Sequence, residues 1–229
     1  MLLNSDFTHL PEVVSEGRRV VNNLTKAGGI FFIKTIYSVL LSVLLVIINA
    51  PFPFLPVQIT FIDLAIEGFP SFFLSFEKNP KKITQSFLNN SLIKALPHAI
   101  IILVACATMF ILQAMGTVPE GQIAGILYIV LGFVSVVAVW RACMPPNKLR
   151  VFLIAFVTIG YFVAVWLFSY GLGYVLGTDF NFLHLVISRQ YLIVAIVMCV
   201  VLLPVLIGLW MVLNPNSKKG MSLRDRLLS

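Results

Sequence analysis

Charge is what this sequence has least of. Only 11% of its 229 residues are Asp, Glu, Lys or Arg, against roughly 25% in an ordinary soluble protein. That shortage sets aside a water-soluble enzyme core, and the apolar content sets aside a disordered chain. Cysteine is scarce too. Cys106, Cys143 and Cys199 form no CxxC pair, so neither a thiolate metal site nor a disulfide framework is expected. No glycine-rich phosphate loop ending in Gly-Lys-Ser or Gly-Lys-Thr occurs, and nothing else suggests a nucleotide pocket. His9, His98 and His184 are scattered, which leaves no cluster for triad hydrolysis. The opening MLLNSDFTHLPE has no basic stretch running into an apolar one, so it does not read as a signal peptide.

What is present is apolar surface in long runs. Apolar residues make up 59% of the chain and the mean hydropathy is +1.00. A helical crossing takes about 20 residues, and six segments of that length stand out, at about 28–49, 55–74, 96–115, 122–142, 151–171 and 190–213. The expected fold is all-α: a polytopic membrane protein whose six-helix transmembrane bundle occupies 28–213. Residues 11–27 carry Val13, Val14, Val20, Val21 and Leu24 between charges, the pattern of an amphipathic helix running into the first crossing. Together they predict one helix of nearly 40 residues, about 57 Å long at ~1.5 Å per residue. The hydrocarbon core is only ~30 Å thick, so the surplus is expected as a cytoplasmic stalk at the N-terminus.

The junctions between crossings alternate in basic content. Arg18, Arg19, Lys26 and Lys34 stand at the first, Lys78, Lys81, Lys82 and Lys94 in the loop 75–95, and Arg141, Lys148 and Arg150 at the next alternate one. Lys218, Lys219, Arg224 and Arg226 lie in the tail 214–229, so fifteen of the 16 basic residues share one side. The positive-inside rule then makes both termini cytoplasmic. The net charge of +7 is accounted for by orientation, lipid is the expected partner and no nucleic acid is implied. Pro145-Pro146-Asn147 predicts a tight turn. Phe180–Ser188 is expected on the bilayer surface through Phe180, Phe182, Leu185 and Val186, and Trp140, Tyr170, Tyr174, Tyr191 and Trp210 as interfacial anchors. Gly160, Gly171 and Gly173 are expected to permit close helix packing.

The second crossing carries two carboxylates. Asp63 and Glu67 lie four residues apart, on one helical face. Counted from Leu55 at 1.5 Å per residue, they fall about 12 and 18 Å deep, near the midplane. A carboxylate there costs at least ~2.5–3.5 kcal/mol, and two on one face repel unless a cation, a proton or a basic group lies between them. Gly68 and Pro70 fall inside the same helix. Pro70 has no N–H and crowds the carbonyl of Ile66, which predicts an irregular helix with free backbone oxygen beside Glu67. Oxygen ligands suit a hard cation such as Ca²⁺ or Mg²⁺. Lys34 on the first crossing either snorkels to water or pairs with Glu67 as a built-in cation. Thr35, Ser38 and Ser42 form a polar stripe, with Asn49 beyond it, that is expected to face the carboxylates. Gln58 and Thr60 are lesser candidates. Gln113, His98 and Thr108 read as packing or interfacial groups.

These residues carry a family resemblance. SDFTHLPEVVSEGRRVVNNL (5–24), KTIYS (34–38) and LPVQITFIDLAIEGFPSFFLSFEKN (55–79) resemble the C-terminal membrane half of cation-translocating P-type ATPases. The likeness is to the fifth to tenth transmembrane helices of a bacterial calcium-pump-like member. It is strong over 5–79 and mainly topological over 95–213. The resemblance implies that residues 1–10 are a remnant of the last strand of a phosphorylation domain and that the EGRR helix is its stalk. It puts Asp63 and Glu67 at the sixth helix's ion-binding positions, and Thr35 and Ser38 where calcium pumps have an Asn and a Glu on the fifth. One carboxylate is thereby lost and Lys34 adds a positive charge, which leaves calcium, another cation or a proton open as cargo. The DKTGT and TGE loops, the nucleotide domain and the first four helices are absent from this sequence. The chain is therefore expected as a fragment or split subunit, partnered by the missing N-terminal half. ATP and Mg²⁺ would act only in the complete pump. A self-contained secondary cation transporter or channel subunit, or a non-transporting membrane scaffold, is the alternative.

The orientation can be tested directly. Cysteines placed in 116–121 are expected to react with an impermeant reagent added outside, and cysteines in 75–95 are not. Outside labelling of 75–95 would reverse the assignment.

Overall fold

A computed structural model describes residues 10–77, 87–177 and 181–213. Every regular element among them is helical: α1 Leu10–Ile48, α2 Pro56–Ser75, α3 Phe87–Ala114, α4 Glu120–Ala142, α5 Lys148–Leu176 and α6 Arg189–Leu213. All six are long and apolar enough to cross a bilayer. The strand remnant expected over 1–10, apart from Leu10, and the tail 214–229 lie outside the described residues. So do Lys78, Lys81, Lys82 and Phe180.

α1 is one helix of 39 residues, about 58 Å long. The helix continues through residues 11–27 without a joint, so the amphipathic stretch is not a separate element. Its inward face is Ile30, Ile33, Tyr37, Leu41 and Leu45, the three-and-four spacing of one helical stripe. α3 packs along it, and α4 packs against both α3 and α6. α4 is the central helix: 72% of its apolar window is buried inside the bundle, against 17% for α5. Gly132 lets α5 close on it, because a Cβ there would overlap the ring of Tyr161. Gly125 is a second such approach, whereas Gly160 faces comparatively open space and a Cβ on Gly171 would meet Trp166 of its own helix at 2.9 Å.

Two boundaries and one connecting segment differ from expectation. α3 begins at Phe87 rather than near 96, so Lys94 is helical and Pro97 lies inside the helix. The polar run Asn89–Ser91 lowers the local hydropathy without stopping the helix. A buried proline is tolerated where neighbouring helices satisfy the freed backbone. α5 extends to Leu176 through a π-helical turn at Leu167–Gly171, and Gly177 ends it with φ 64°. The segment 181–188 lies only partly on the surface, with Leu185 turned inward instead of outward. Leu183 and Leu185 are buried while Phe182 and Val186 face outward. A Cβ on Gly125 would stand 2.7 Å from the Val186 carbonyl, so α4 admits this backbone only through a glycine. Gln58 fixes it from α2, its Nε2 donating to the Leu183 carbonyl at 2.9 Å. Trp210 is buried rather than an exposed anchor.

At the basic-rich end, Glu77 gathers three elements. Its carboxylate accepts from Arg150 Nη2 at 2.6 Å and from Asn147 Nδ2 at 2.7 Å, and Lys26 Nζ stands 3.6 Å away. Asn23 of α1 donates to the backbone carbonyls of Glu77 and Ser75 at 2.7 and 3.1 Å. Asn147 also caps α5, its Oδ1 accepting from the Arg150 N–H at 2.9 Å. The Pro145-Pro146-Asn147 turn thus delivers a cap and an acceptor's partner together. Burial pushes the Glu77 carboxyl up, but the bonds and charges of Arg150, Lys26 and Asn147 outweigh it and hold it below its ordinary range.

A depressed folded-state value stabilises the protein above the unfolded glutamate pKa and is lost as pH falls through the folded one. Glu77→Gln is expected to lower stability at neutral pH by roughly 2 kcal/mol, measured by unfolding in detergent. The gap between variant and wild type should shrink as pH falls below about 4. A gap that stays constant as pH falls well below about 4 would remove the charge from the account.

Candidate functional site

The site starts from the hexapeptide DLAIEG of α2. Over Asp63–Gly68 the helix widens into a π-helical turn, flanked by α-helix at Pro56–Ile62 and Phe69–Ser75. The Phe69 N–H donates five residues back to the Leu64 carbonyl. Local sequence explains the form. Pro70 has no N–H with which to continue the α-helical ladder. Gly68 eases the wide turn, since a Cβ there would stand 3.2 Å from the Asp63 carbonyl. The irregularity expected from Gly68 and Pro70 is therefore one wide turn, not a break in the helix. Such turns add a residue to the helix and are frequent at functional sites.

The turn sets the two carboxylates in different surroundings. Glu67 is buried, only 5% exposed. Asp63 is nearer the edge, and its Oδ2 receives the ammonium of Lys34 from α1. Its Oδ1 is buried with no hydrogen-bond partner among the described residues. The charges that act on Glu67 are Asp63 and Lys34. Lys34 thus makes its direct bridge to Asp63, not to Glu67 as the depth count suggested. Counting depth along two separate helices gives height but not azimuth, and azimuth decides which carboxylate the ammonium reaches.

Tyr37 is the group that sequence reasoning passed over. It follows Lys34 by three residues on the same helix and lies buried on the inward stripe of α1. Both Asp63 and Glu67 act on its hydroxyl. The signal was available, since an i, i+3 pair of lysine and tyrosine shares a face. The polar stripe on α1 turns elsewhere. Thr35 and Ser42 are exposed and Ser38 is half-buried. Ser42 Oγ is bonded to the Ser38 carbonyl at 2.7 Å, an intrahelical contact. Gln58 and Thr60 are also spoken for. Gln58 braces the start of α2, accepting from the Leu55 N–H at 3.0 Å, and Thr60 bonds back to the Pro56 carbonyl at 2.9 Å.

Chemically the arrangement is two carboxylates, one ammonium and one phenol in an apolar bundle. It can exchange one positive charge for another at Asp63. Among the described residues no group of three Asp, Glu, His or Cys comes together as a metal cluster, so Asp63 and Glu67 supply at most part of a cation's ligands. The Lys34 and Asp63 side chains are about a third exposed. The pair therefore opens on the flank of the six-helix unit rather than being sealed within it.

No family profile matches the chain. Individual proteins do. A probable cation-transporting ATPase of Streptococcus pneumoniae, exp7, is 43% identical over 176 residues, covering 73% of this chain and 22% of the relative. The calcium-transporting ATPase CtpE of Mycobacterium tuberculosis is 35% identical over 132 residues, 53% of this chain and 17% of the relative. CtpE of Mycolicibacterium smegmatis is 32% identical over 126 residues, 51% of this chain and 16% of the relative. The chain thus aligns with about a fifth of the length of the relatives it matches. Taken with its six apolar helices, these alignments make the chain a bacterial multi-span membrane domain homologous to part of the cation-transporting P-type ATPases.

Proposed function

We propose that this chain carries part of the cation path of an ATP-driven pump and works with the missing remainder of that pump. The observation that carries the reading is the Lys34–Asp63 bridge beside buried Glu67, at the π-helical turn of α2. An ionisable group inside a membrane is expensive unless paired, and paired groups there mark ion pathways. A hard cation arriving at Asp63 takes the place of the Lys34 ammonium, and Glu67 and the Tyr37 hydroxyl are the next oxygens inward. When the cation leaves, Lys34 returns and keeps the carboxylate neutralised. Two carboxylates less one ammonium leave a single negative charge to meet the cargo, which fits calcium less closely than a site of carboxylates alone.

The open flank bears on the partner. Lipid cannot solvate the exposed side of an ion pair, so the proposal requires another helix to cover it. The absent N-terminal half of the pump is the natural source. Thr35 and Ser38 would then be reached by that helix rather than by α2. Energy comes from elsewhere in the complete pump, since this chain has neither a phosphate-acceptor loop nor a nucleotide element.

Two measurements test the reading. The purified chain alone is expected to form no acid-stable, hydroxylamine-sensitive phosphoenzyme with ATP. In the complete pump, Asp63→Asn and Glu67→Gln are each expected to abolish cation-stimulated ATPase activity while insertion and expression persist. Lys34→Ala is expected to shift the cation and pH dependence without removing the protein from the membrane. Cation affinity and turnover like wild type in both carboxylate variants would assign the residues to helix packing instead.

A further inference from the structure

A second polar cluster, far along the chain from the carboxylates, contains donors and no acid. Arg141 ends α4, and its guanidinium lies 4.0 Å over the ring of Trp210 on α6. Its Nη1 makes a long bond of 3.3 Å to the Lys94 carbonyl on α3. A guanidinium has five N–H donors, so most remain to be used. Trp210 is 6% exposed, yet its indole N–H has no acceptor among the described residues. Lys94 lies along α1, its stem against Gly29, and the charges that act on it are Arg141 and Lys26, both cations. His98, one turn on, is buried with Nδ1 on the Lys94 carbonyl. The ion pairs among the described residues are Arg19–Glu16, Lys26–Glu77, Lys34–Asp63 and Arg150–Glu77. Arg141 and Lys94 take part in none of them.

Two half-buried cations and an orphan buried donor call for an anion. We infer that Arg141 and the Trp210 indole N–H, with Lys94 adding charge, hold the phosphate of an anionic phospholipid where α3, α4 and α6 meet. The position fits that occupant. Arg141 stands one residue from the end of its helix and Trp210 three from the end of its own, the level at which headgroups lie. The ends of α4 and α6 belong to the side where the basic residues collect. Basic pockets between transmembrane helices on such a side bind anionic headgroups. The guanidinium offers a phosphate two parallel hydrogen bonds. Its seat on the indole face fixes it without consuming those donors.

The test is native mass spectrometry of the chain released from nanodiscs of mixed phosphatidylglycerol and phosphatidylcholine. Wild type is expected to retain phosphatidylglycerol in preference. Lys94→Gln with Arg141→Gln is expected to lower retention roughly tenfold or more. Trp210→Phe keeps the ring under Arg141 and removes only the N–H, for an expected loss of about threefold. Melting in pure phosphatidylcholine nanodiscs checks that each variant is folded, and Trp210→Phe decides the matter if the double variant is not. Arg189→Gln, at the other end of α6, is expected to change nothing. Retention unchanged in Trp210→Phe and in the folded double variant overturns the site. So does equal retention of phosphatidylcholine, an equal effect of Arg189→Gln, or displacement of the lipid by inorganic phosphate.

Discussion

Inside a bilayer a charge has to find its partner within the protein, and the interior of this chain is arranged around that constraint. Water would otherwise screen Lys34, Asp63 and Glu67, and in its absence each must be answered by a side chain. Lys34 on α1 reaches Asp63 on α2, which fixes the rotation of one helix against the other. Apolar contacts alone could slide by a turn at little expense. An ion pair could not. The same logic holds at the helix ends, where Glu77 draws Arg150, Lys26 and Asn147 together and sets how α1, α2 and α5 meet.

The number of the helices was legible because hydropathy is a local property. A run of about 20 apolar residues declares itself regardless of its neighbours. The start of α3 was misread for the same reason. Asn89–Ser91 and Lys94 look like loop in a sliding window, but the helix runs through them, and Ser91 ties it to α1, its Oγ donating to the Thr25 carbonyl at 3.3 Å. In α2, Gly68 and Pro70 announced an irregular helix without saying which kind. The form depends on how one N–H is shared among carbonyls, and composition alone does not encode that.

Contacts between distant residues were the illegible part. Glu77 and Arg150 lie 73 residues apart, and in sequence each looked like one more charge at a junction. The burial of Leu183 and Leu185 was hidden likewise, since a short apolar stretch between polar residues suits a surface as well as a plug. Its burial depends on backbone bonds supplied from elsewhere, the Phe182 N–H to the Phe168 carbonyl at 2.9 Å and the Gln58 amide to Leu183. Asp63 and Glu67 stood out as candidates from depth and spacing alone. Tyr37 was passed over although its spacing from Lys34 put both on one face, because a tyrosine in an apolar helix looks like core.

α2 is fastened to α1 at two heights, through Asp63 to Lys34 and through Ser75 and Glu77 to Asn23, and the wide turn begins at the upper fastening. A straight α-helix between two fixed points has no spare length. A π-helical turn holds one residue more than an α-helical turn needs. Drawing that residue back into the α-helical ladder would rotate everything beyond it by about 100° and lengthen the strut by ~1.5 Å. α1, a continuous rod, would carry a displacement at its far end to both fastenings at once. The slack stored at Asp63–Gly68 is where the mismatch between rod and strut would be absorbed, and Glu67 sits inside that slack.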